Sequence, residues 1–444
     1  MKSHAYKIII LFFIFLVFIG TFLLSLPQVA NNKISFVDIL FTATSAVCVT
    51  GLTVVDVGRT FNFLGQLIMI LLIQIGGLGY MLMATIVMIL LGRLSIMQKN
   101  IVSESLSISE FAKVSQIGLL IKKIVILTII FELLGIAVLT VKFTLVDKIG
   151  FFQSLWYGIF HSISAFCNAG FSLFPDSLER YKSDVVINFI FPLLFIAGGL
   201  GFFVWINIFE HFKKKGNLQL HTKAVLLTTV ILILIPTLLI FLLNQKIFSE
   251  NNFPLKTQFL VSWFQAVTPR TAGFNTFPIR QLSGLTVILI TILMFIGASP
   301  GGTGGGIKTT TVFVILVSIY NFLRGEHDVS VFKRRLAQEI VVKSFVIFFV
   351  CFIWIIIISC SIYWINNTFC SPKFSYREIF FETVSAFGTV GLSLGITPYI
   401  DNFSKILLII TMFFGRIGGI TLLSFLLTKE PKEIKYLEGH IAVG

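Results

Sequence analysis

Long apolar runs alternate with short amphipathic segments along the chain, and the alternation recurs four times. Helical runs long enough to cross a hydrocarbon core, about 20 residues, fall at roughly 8–26, 63–92, 117–141, 185–209, 223–243, 283–323, 341–365 and 403–427. The shorter segments are "SFVDILFTATSA", "FFQSLWYGIFHSISA", "TQFLVSWFQAVT" and "YREIFFETVSA". They are too short to span and read as re-entrant helices, which are tolerated at membrane depth where protein or water surrounds them. The pattern predicts an all-α polytopic membrane protein. Its first run follows Lys2 and Lys7 and is longer than a secretion-signal core, so it reads as a retained helix.

Internal repetition sets the plan. After the short segments come "SAVCVTGLTVVD", "SAFCNAGFSLFPD", "VTPRTAGFNTFP" and "SAFGTVGLSLGITP", which align on Gly51, Gly170, Gly273 and Gly391. Six residues before the glycine stand Ser45, Ser164, Val267 and Ser385. A second glycine cluster follows inside the next run, beginning at Gly76, Gly198, Gly301 and Gly418. The chain therefore divides into four span–re-entrant helix–span repeats, 1–115, 116–222, 223–339 and 340–444, with a glycine-rich loop at 297–311 in the third.

Basic residues gather on one side of these spans. The face opposite the re-entrant segments carries nineteen Lys and Arg against nine acids, and the re-entrant face thirteen against ten. The positive-inside rule makes the first face cytoplasmic, with both termini inside and all four loops entering from outside. The same rule explains the net charge of +14 without nucleic acid. Composition agrees: 56% of residues are hydrophobic and 12% charged, against about 25% charged in a soluble domain. Five cysteines without a C-x-x-C pair indicate neither a disulfide framework nor a zinc site.

Two motifs invite enzymatic readings, and both fail. "GASPGGTGGGIKTTT", Gly297 to Thr311, resembles a phosphate cradle, but Ile307 stands before Lys308 where a Walker loop needs glycine. No nucleotide is expected on this chain. His161 and Glu382 share the position nine before the aligned glycine, yet they lie in different repeats and suit hydrogen bonding better than acid–base work. Glu132, inside the third apolar run, is expected to bond a neighbouring helix.

Four loops entering from one face can meet on one axis. Each follows a short helix whose carbonyl end carries partial negative charge, and glycine permits the backbone to present carbonyl oxygens closely. Rings of carbonyls that replace a hydration shell are how potassium filters work. The expected filter is Val49, Thr50, Gly51 and Leu52; Asn168, Ala169, Gly170 and Phe171; Thr271, Ala272, Gly273 and Phe274; and Thr389, Val390, Gly391 and Leu392, with K+ at their backbone carbonyls. Beneath it, Gly301, Gly302, Thr303, Gly304, Gly305, Gly306 and Lys308 are expected to form a gate. Glycine costs roughly 1 and proline roughly 3 kcal/mol in a helix interior, so this stretch cannot stay helical. Arg416, in the last run, is expected to pair with loop carbonyls as a latch. The competing reading is an alternating-access secondary transporter with broken helices for another small solute.

The motifs "AVCVTGL", "AFCNAGF", "TPRTAGFNT" and "AFGTVGL", the mid-helix glycine loop and Arg416 together resemble the Trk/Ktr/HKT potassium transporter superfamily. Within it, the length and short loops look most like the KtrB-like membrane subunits of bacterial Ktr systems. The likeness covers almost the whole chain. It implies uptake of K+ across the cell membrane, filter roles for Gly51, Gly170, Gly273 and Gly391, a homodimer in membrane lipid, and a separate cytosolic nucleotide-binding ring, KtrA- or KtrC-like, that regulates opening. Coupling to Na+ varies across the superfamily and is left open.

Overall fold

The computed structural model describes residues 2–90, 117–214, 216–326 and 328–418. The polar segment around 93–116, the residues after Gly418 and Lys215 lie outside them.

The described residues fold almost entirely as helices in the expected rhythm. The first repeat has α1 (Lys2–Leu24), the short α2 (Phe36–Val47) and α3 (Phe63–Leu90). The second has α4 (Ile117–Val141), short α5 (Phe151–Phe166), α6 (Val185–Gly199) and α7 (Phe202–Lys214). In the third come α8 (Leu220–Leu243), short α9 (Leu255–Val267), α10 (Gly284–Phe295) and α11 (Thr309–Leu323). The fourth has α12 (Gln338–Phe369), short α13 (Tyr376–Gly388) and α14 (Asn402–Ile417). Local chemistry fixes the starts. Ser35 accepts from Asp38 N, Ser375 forms a capping box with Glu378, and Asp184, Ser283 and Asp401 cap α6, α10 and α14, each satisfying amides that a helix start leaves open.

In the first, second and fourth repeats the short helix packs between the long helices of its own repeat, whereas in the third α9 packs against α8 of its own repeat and α6 of the second. Neighbouring repeats then meet through α3 with α5, α6 with α9, α10 with α13, and α14 with α2, so the contacts close into a ring. Apolar cores bind these seams, one across the first two repeats and one across the last two. Two smaller cores join the second repeat to the third and the fourth to the first. The outward faces stay apolar, as at Leu133, Leu234 and Ile357. The spans Ile121–Val146, Leu220–Leu243 and Gln338–Phe369 are each long and apolar enough to cross a membrane. A multi-pass membrane protein follows.

The structure departs from the expected plan in three places. The second repeat is interrupted as well as the third: α6 and α7 meet at 95° around Gly201, whose φ is +93°. The chain is not wholly helical, because Ser330–Val331 pairs with Arg334–Arg335 across a turn at Phe332 and Lys333, both at positive φ, the geometry of a tight hairpin. The fourth member of the second glycine cluster is Gly415 rather than Gly418, for the packing reason given below.

Candidate functional site

The four aligned loops come together at one place. A Cβ on Gly51 would lie 2.3 Å from Ala169 O, on Gly170 2.9 Å from Ala272 O, on Gly273 2.4 Å from Val390 O, and on Gly391 2.3 Å from Thr50 O. Each glycine thus abuts the carbonyl just before the next loop's glycine, and the fourth returns to the first. All four are at positive φ, between +69° and +90°. So are the residues two before them: Val49 at +56°, Asn168 at +59°, Thr271 at +70° and Thr389 at +49°. Three of these are β-branched, for which left-handed backbone is an outlier. The same strain recurs at the same register in all four loops, and strain of this kind clusters at functional sites.

Hydroxyls brace the loops from behind. Ser164 Oγ donates to Phe171 O at 2.8 Å, and Gly391 N donates to Ser385 Oγ at 3.1 Å. In the third loop, where alignment offers Val267, the hydroxyl comes from Thr268, which donates to Phe274 O. Backbone bonds repeat the brace, as from Thr50 N to Ser45 O at 2.8 Å and Ala169 N to Ser164 O at 2.7 Å. The sequence carries this signal only if the third repeat is shifted by one residue.

The second glycine cluster lets the long helices lie against the ends of the short ones. A Cβ on Gly76 would be 2.1 Å from Val47 O, on Gly198 1.9 Å from Phe166 O, and on Gly415 1.8 Å from Phe387 O. Those carbonyls all stand four residues before the aligned glycine, which identifies Gly415 as the partner of Gly76 and Gly198.

The loop between α10 and α11 lies directly against this assembly. Ser299 N and Thr303 N donate to Gly199 O and Gly198 O at 3.0 and 3.1 Å, and Phe202 N donates to Gly301 O at 3.1 Å. Thr303 Oγ1 reaches Asn168 Oδ1 at 3.0 Å and Phe166 O at 3.2 Å; Gly305 N donates to Thr389 Oγ1 at 2.9 Å. Gly302 approaches Gly199 O, Gly304 approaches Thr271 Oγ1, and Gly306 N donates to Gly415 O at 3.2 Å. Lys308 Nζ turns back to Gly304 O at 2.7 Å. Arg416 donates to Thr303 O, to Gly76 O at 2.6 Å and to Gly77 O at 3.1 Å. The predicted gate residues and Arg416 are therefore brought together beside the four glycines.

His161 and Glu382 are not brought together, and each bonds within its own repeat. Glu132 accepts from Gln74 Nε2 of α3 at 2.9 Å, the expected bond to a neighbouring helix. Among the described residues no cluster of His, Cys, Asp and Glu is placed to hold a metal ion, and the five cysteines are free thiols.

The family model for TrkH, a cation transport protein, matches residues 2–435. The chain belongs to the TrkH family. Among its relatives, the Ktr system potassium uptake protein B of Bacillus subtilis is 37% identical over 97% of this chain and 95% of its own length. The protein of the same name from Vibrio alginolyticus is 37% identical over 100% and 96%. The potassium/sodium uptake protein NtpJ of Enterococcus hirae is 36% identical over 98% and 95%. In three dimensions the chain resembles the potassium transporter TrkH from Vibrio parahaemolyticus, with a TM-score of 0.75 at 21% identity, over 96% of this chain and 85% of that one. That likeness establishes the fold.

Proposed function

We propose that this member of the TrkH family takes up K+ across the cell membrane. In this reading the four repeats surround a pseudo-fourfold pore, and the carbonyls around Gly51, Gly170, Gly273 and Gly391 form its selectivity filter. The ring of glycine-to-carbonyl approaches carries the proposal, because a closed set of four carbonyl-bearing loops is what replacing a hydration shell requires. The relatives named for potassium uptake support the ion, and the one named for potassium and sodium makes Na+ the competitor to test. The broken helices also suit alternating access, but a closed ring of loops favours a pore.

The loop at 297–311 acts as the gate in this reading, and Arg416 is its latch. The cytoplasmic side binds a separate nucleotide-binding regulator, and two copies of the chain form the unit in lipid. The exposed Lys213 and the hairpin bearing Lys333, Arg334 and Arg335 supply a basic surface for that regulator. Purified chain in liposomes, assayed for K+ against Na+ flux, tests the central statement. Saturable K+ flux is expected; flux of another solute without alkali cations would overturn it. Co-purification from the native membrane tests the regulator: a chain that comes out alone and is equally active with ATP and ADP would exclude it.

A further inference from the structure

Three of the four short helices carry a side chain that reaches past the aligned glycine and holds the outgoing chain. Glu382, on α13, is 2% exposed. Its Oε1 accepts from Leu394 N at 2.9 Å and from Ser393 Oγ at 2.6 Å, and its Oε2 accepts from Thr397 Oγ1 at 2.9 Å. His161, on α5, is fully buried. Its Nε2 accepts from Leu173 N at 3.2 Å and lies 3.1 Å from Ser172 Oγ. Leu173 and Leu394 are each third after their glycine, and Ser172 and Ser393 each second. The two side chains make the same clamp. On α9, Gln265 Nε2 donates to Phe277 O at 2.9 Å. In the first repeat the equivalent of His161 and Glu382 is Thr42, whose hydroxyl is spent on its own helix at Asp38 O.

The clamps differ in charge. His161 Nδ1 lies 2.8 Å from Tyr157 O, a carbonyl that only accepts, so the ring proton sits on Nδ1. Nε2 accepts an amide, and the imidazole is neutral. Glu382 meets Leu394 N and the Ser393 and Thr397 hydroxyls across its two oxygens, bonds that favour its ionised form against the cost of burial. It has no ion pair among the described residues. A buried anion needs hydrogen bonds and a countercharge. The hydrogen bonds are present, and the neighbouring ring of loops is where a cation would stand.

We propose that Glu382 is a positioning residue of the cation path: it clamps the fourth loop, and its charge, acting through the protein, strengthens cation binding in the filter. This rests on the filter reading above. At an effective dielectric of about 20, a unit charge within about 12 Å of the ion changes occupancy by roughly tenfold or more.

The test compares wild type, Glu382→Gln and Glu382→Asp as full chains. K+ flux in liposomes and K+-dependent thermal stabilisation in detergent are read together. Gln can keep the Leu394 bond while removing the charge. Glu382→Gln should raise half-saturating K+ about tenfold and shift the stabilisation curve equally, with maximal flux within about twofold. Glu382→Asp, which restores charge, should recover most of the affinity. A folded Glu382→Gln with wild-type half-saturation overturns the proposal, as does lost maximal flux at unchanged half-saturation, the mark of a purely structural clamp. If wild type carries no K+, the functional reading fails separately. Stabilisation across Li+, Na+, K+ and Rb+ then still decides the charge: weaker stabilisation of Glu382→Gln supports it, and equal curves or none in wild type overturn it.

Discussion

Replacing Gly273 with Ser tests the ring most directly. The new Cβ would lie 2.4 Å from Val390 O, 3.0 Å from Gly170 Cα and 3.4 Å from Gly391 Cα. It would touch two neighbouring loops, both through backbone. Clearing the carbonyl requires a displacement of about 1 Å, an overpacking cost of roughly 1–3 kcal/mol. Holding a side chain at φ +77° adds roughly 1–2 kcal/mol. Strain alone is isolated by Gly325→Ala, where φ is +74° and nothing lies within 4 Å of the added atom. Flux of K+ and Na+ in liposomes, with thermal melting on the same samples, separates the effects. Gly325→Ala should lose about 1–2 kcal/mol of stability with unchanged K+ half-saturation. Gly273→Ser should raise that concentration at least about tenfold and reduce discrimination against Na+, because one member of a four-carbonyl ring has moved. A well-expressed Gly273→Ser with wild-type kinetics for both ions would refute the filter assignment.

Three further outcomes are expected. Gly76→Ala should abolish assembly or cost roughly 3 kcal/mol, since its Cβ would sit 2.1 Å from Val47 O, whereas Gly79→Ala, with 3.4 Å to a flexible Phe12 ring, should be tolerated; detergent melting and gel filtration compare them. Lys142, buried between Asp147 at 2.8 Å and Asp184 at 2.9 Å, should on change to Ala lower stability by about 3 kcal/mol by leaving two carboxylates unpaired, and an unaltered melting curve would count against that. Arg416→Ala should raise K+ flux under resting conditions about tenfold, because hydrogen bonds to a charged group contribute roughly 1.5–3 kcal/mol each; resting flux at the wild-type level in an intact protein would remove Arg416 as latch.

The helical spans, the short helices and the register of four glycines were legible because each has a local cause. Apolar runs of bilayer length have few alternatives in lipid, and a loop needing positive φ writes glycine at a fixed place. The break between α6 and α7 had no such signature. The identical tetrapeptide "GGLG" occurs at 76–79 and 198–201, yet the first lies inside the unbroken α3 and the second ends α6. The difference comes from another repeat. Ser299 and Thr303 donate to the carbonyls of Gly199 and Gly198, and Gly301 O takes the amide of Phe202. Long-range bonds replace the helical ones, and local propensity cannot reveal them. Thr268 standing in for Val267 and Gly415 for Gly418 were hidden for a related reason: side chains one to three residues apart can reach the same carbonyl once the backbone path differs.

The contacts of the loop at 297–311 bear on how opening would be driven. The loop is not a plug held at a distance from the ring. It bonds the residues two before the aligned glycines: Thr303 to Asn168, and Gly305 to Thr389, while Gly304 lies against Thr271. Asn168 in turn donates to Thr271 Oγ1 at 2.9 Å. These are left-handed positions two residues before the aligned glycines. In the proposed gate, withdrawing the loop gives up its neutral bonds to the second and fourth repeats, about 1 kcal/mol each, and the Arg416 bond to Thr303 O, roughly 1.5–3 kcal/mol. In that reading the closed arrangement is favoured by several kcal/mol. A regulator taking the gate from almost always closed to almost always open has to prefer the open state by roughly 5.5 kcal/mol, more than a loose basic patch supplies at about 1 kcal/mol per exposed ion pair. The proposed regulator would therefore need an extensive, geometrically defined interface. In the proposed reading the same bonds support the filter backbone, so a partner that moved the loop would also change the ring's stiffness, and conduction and selectivity are expected to respond together.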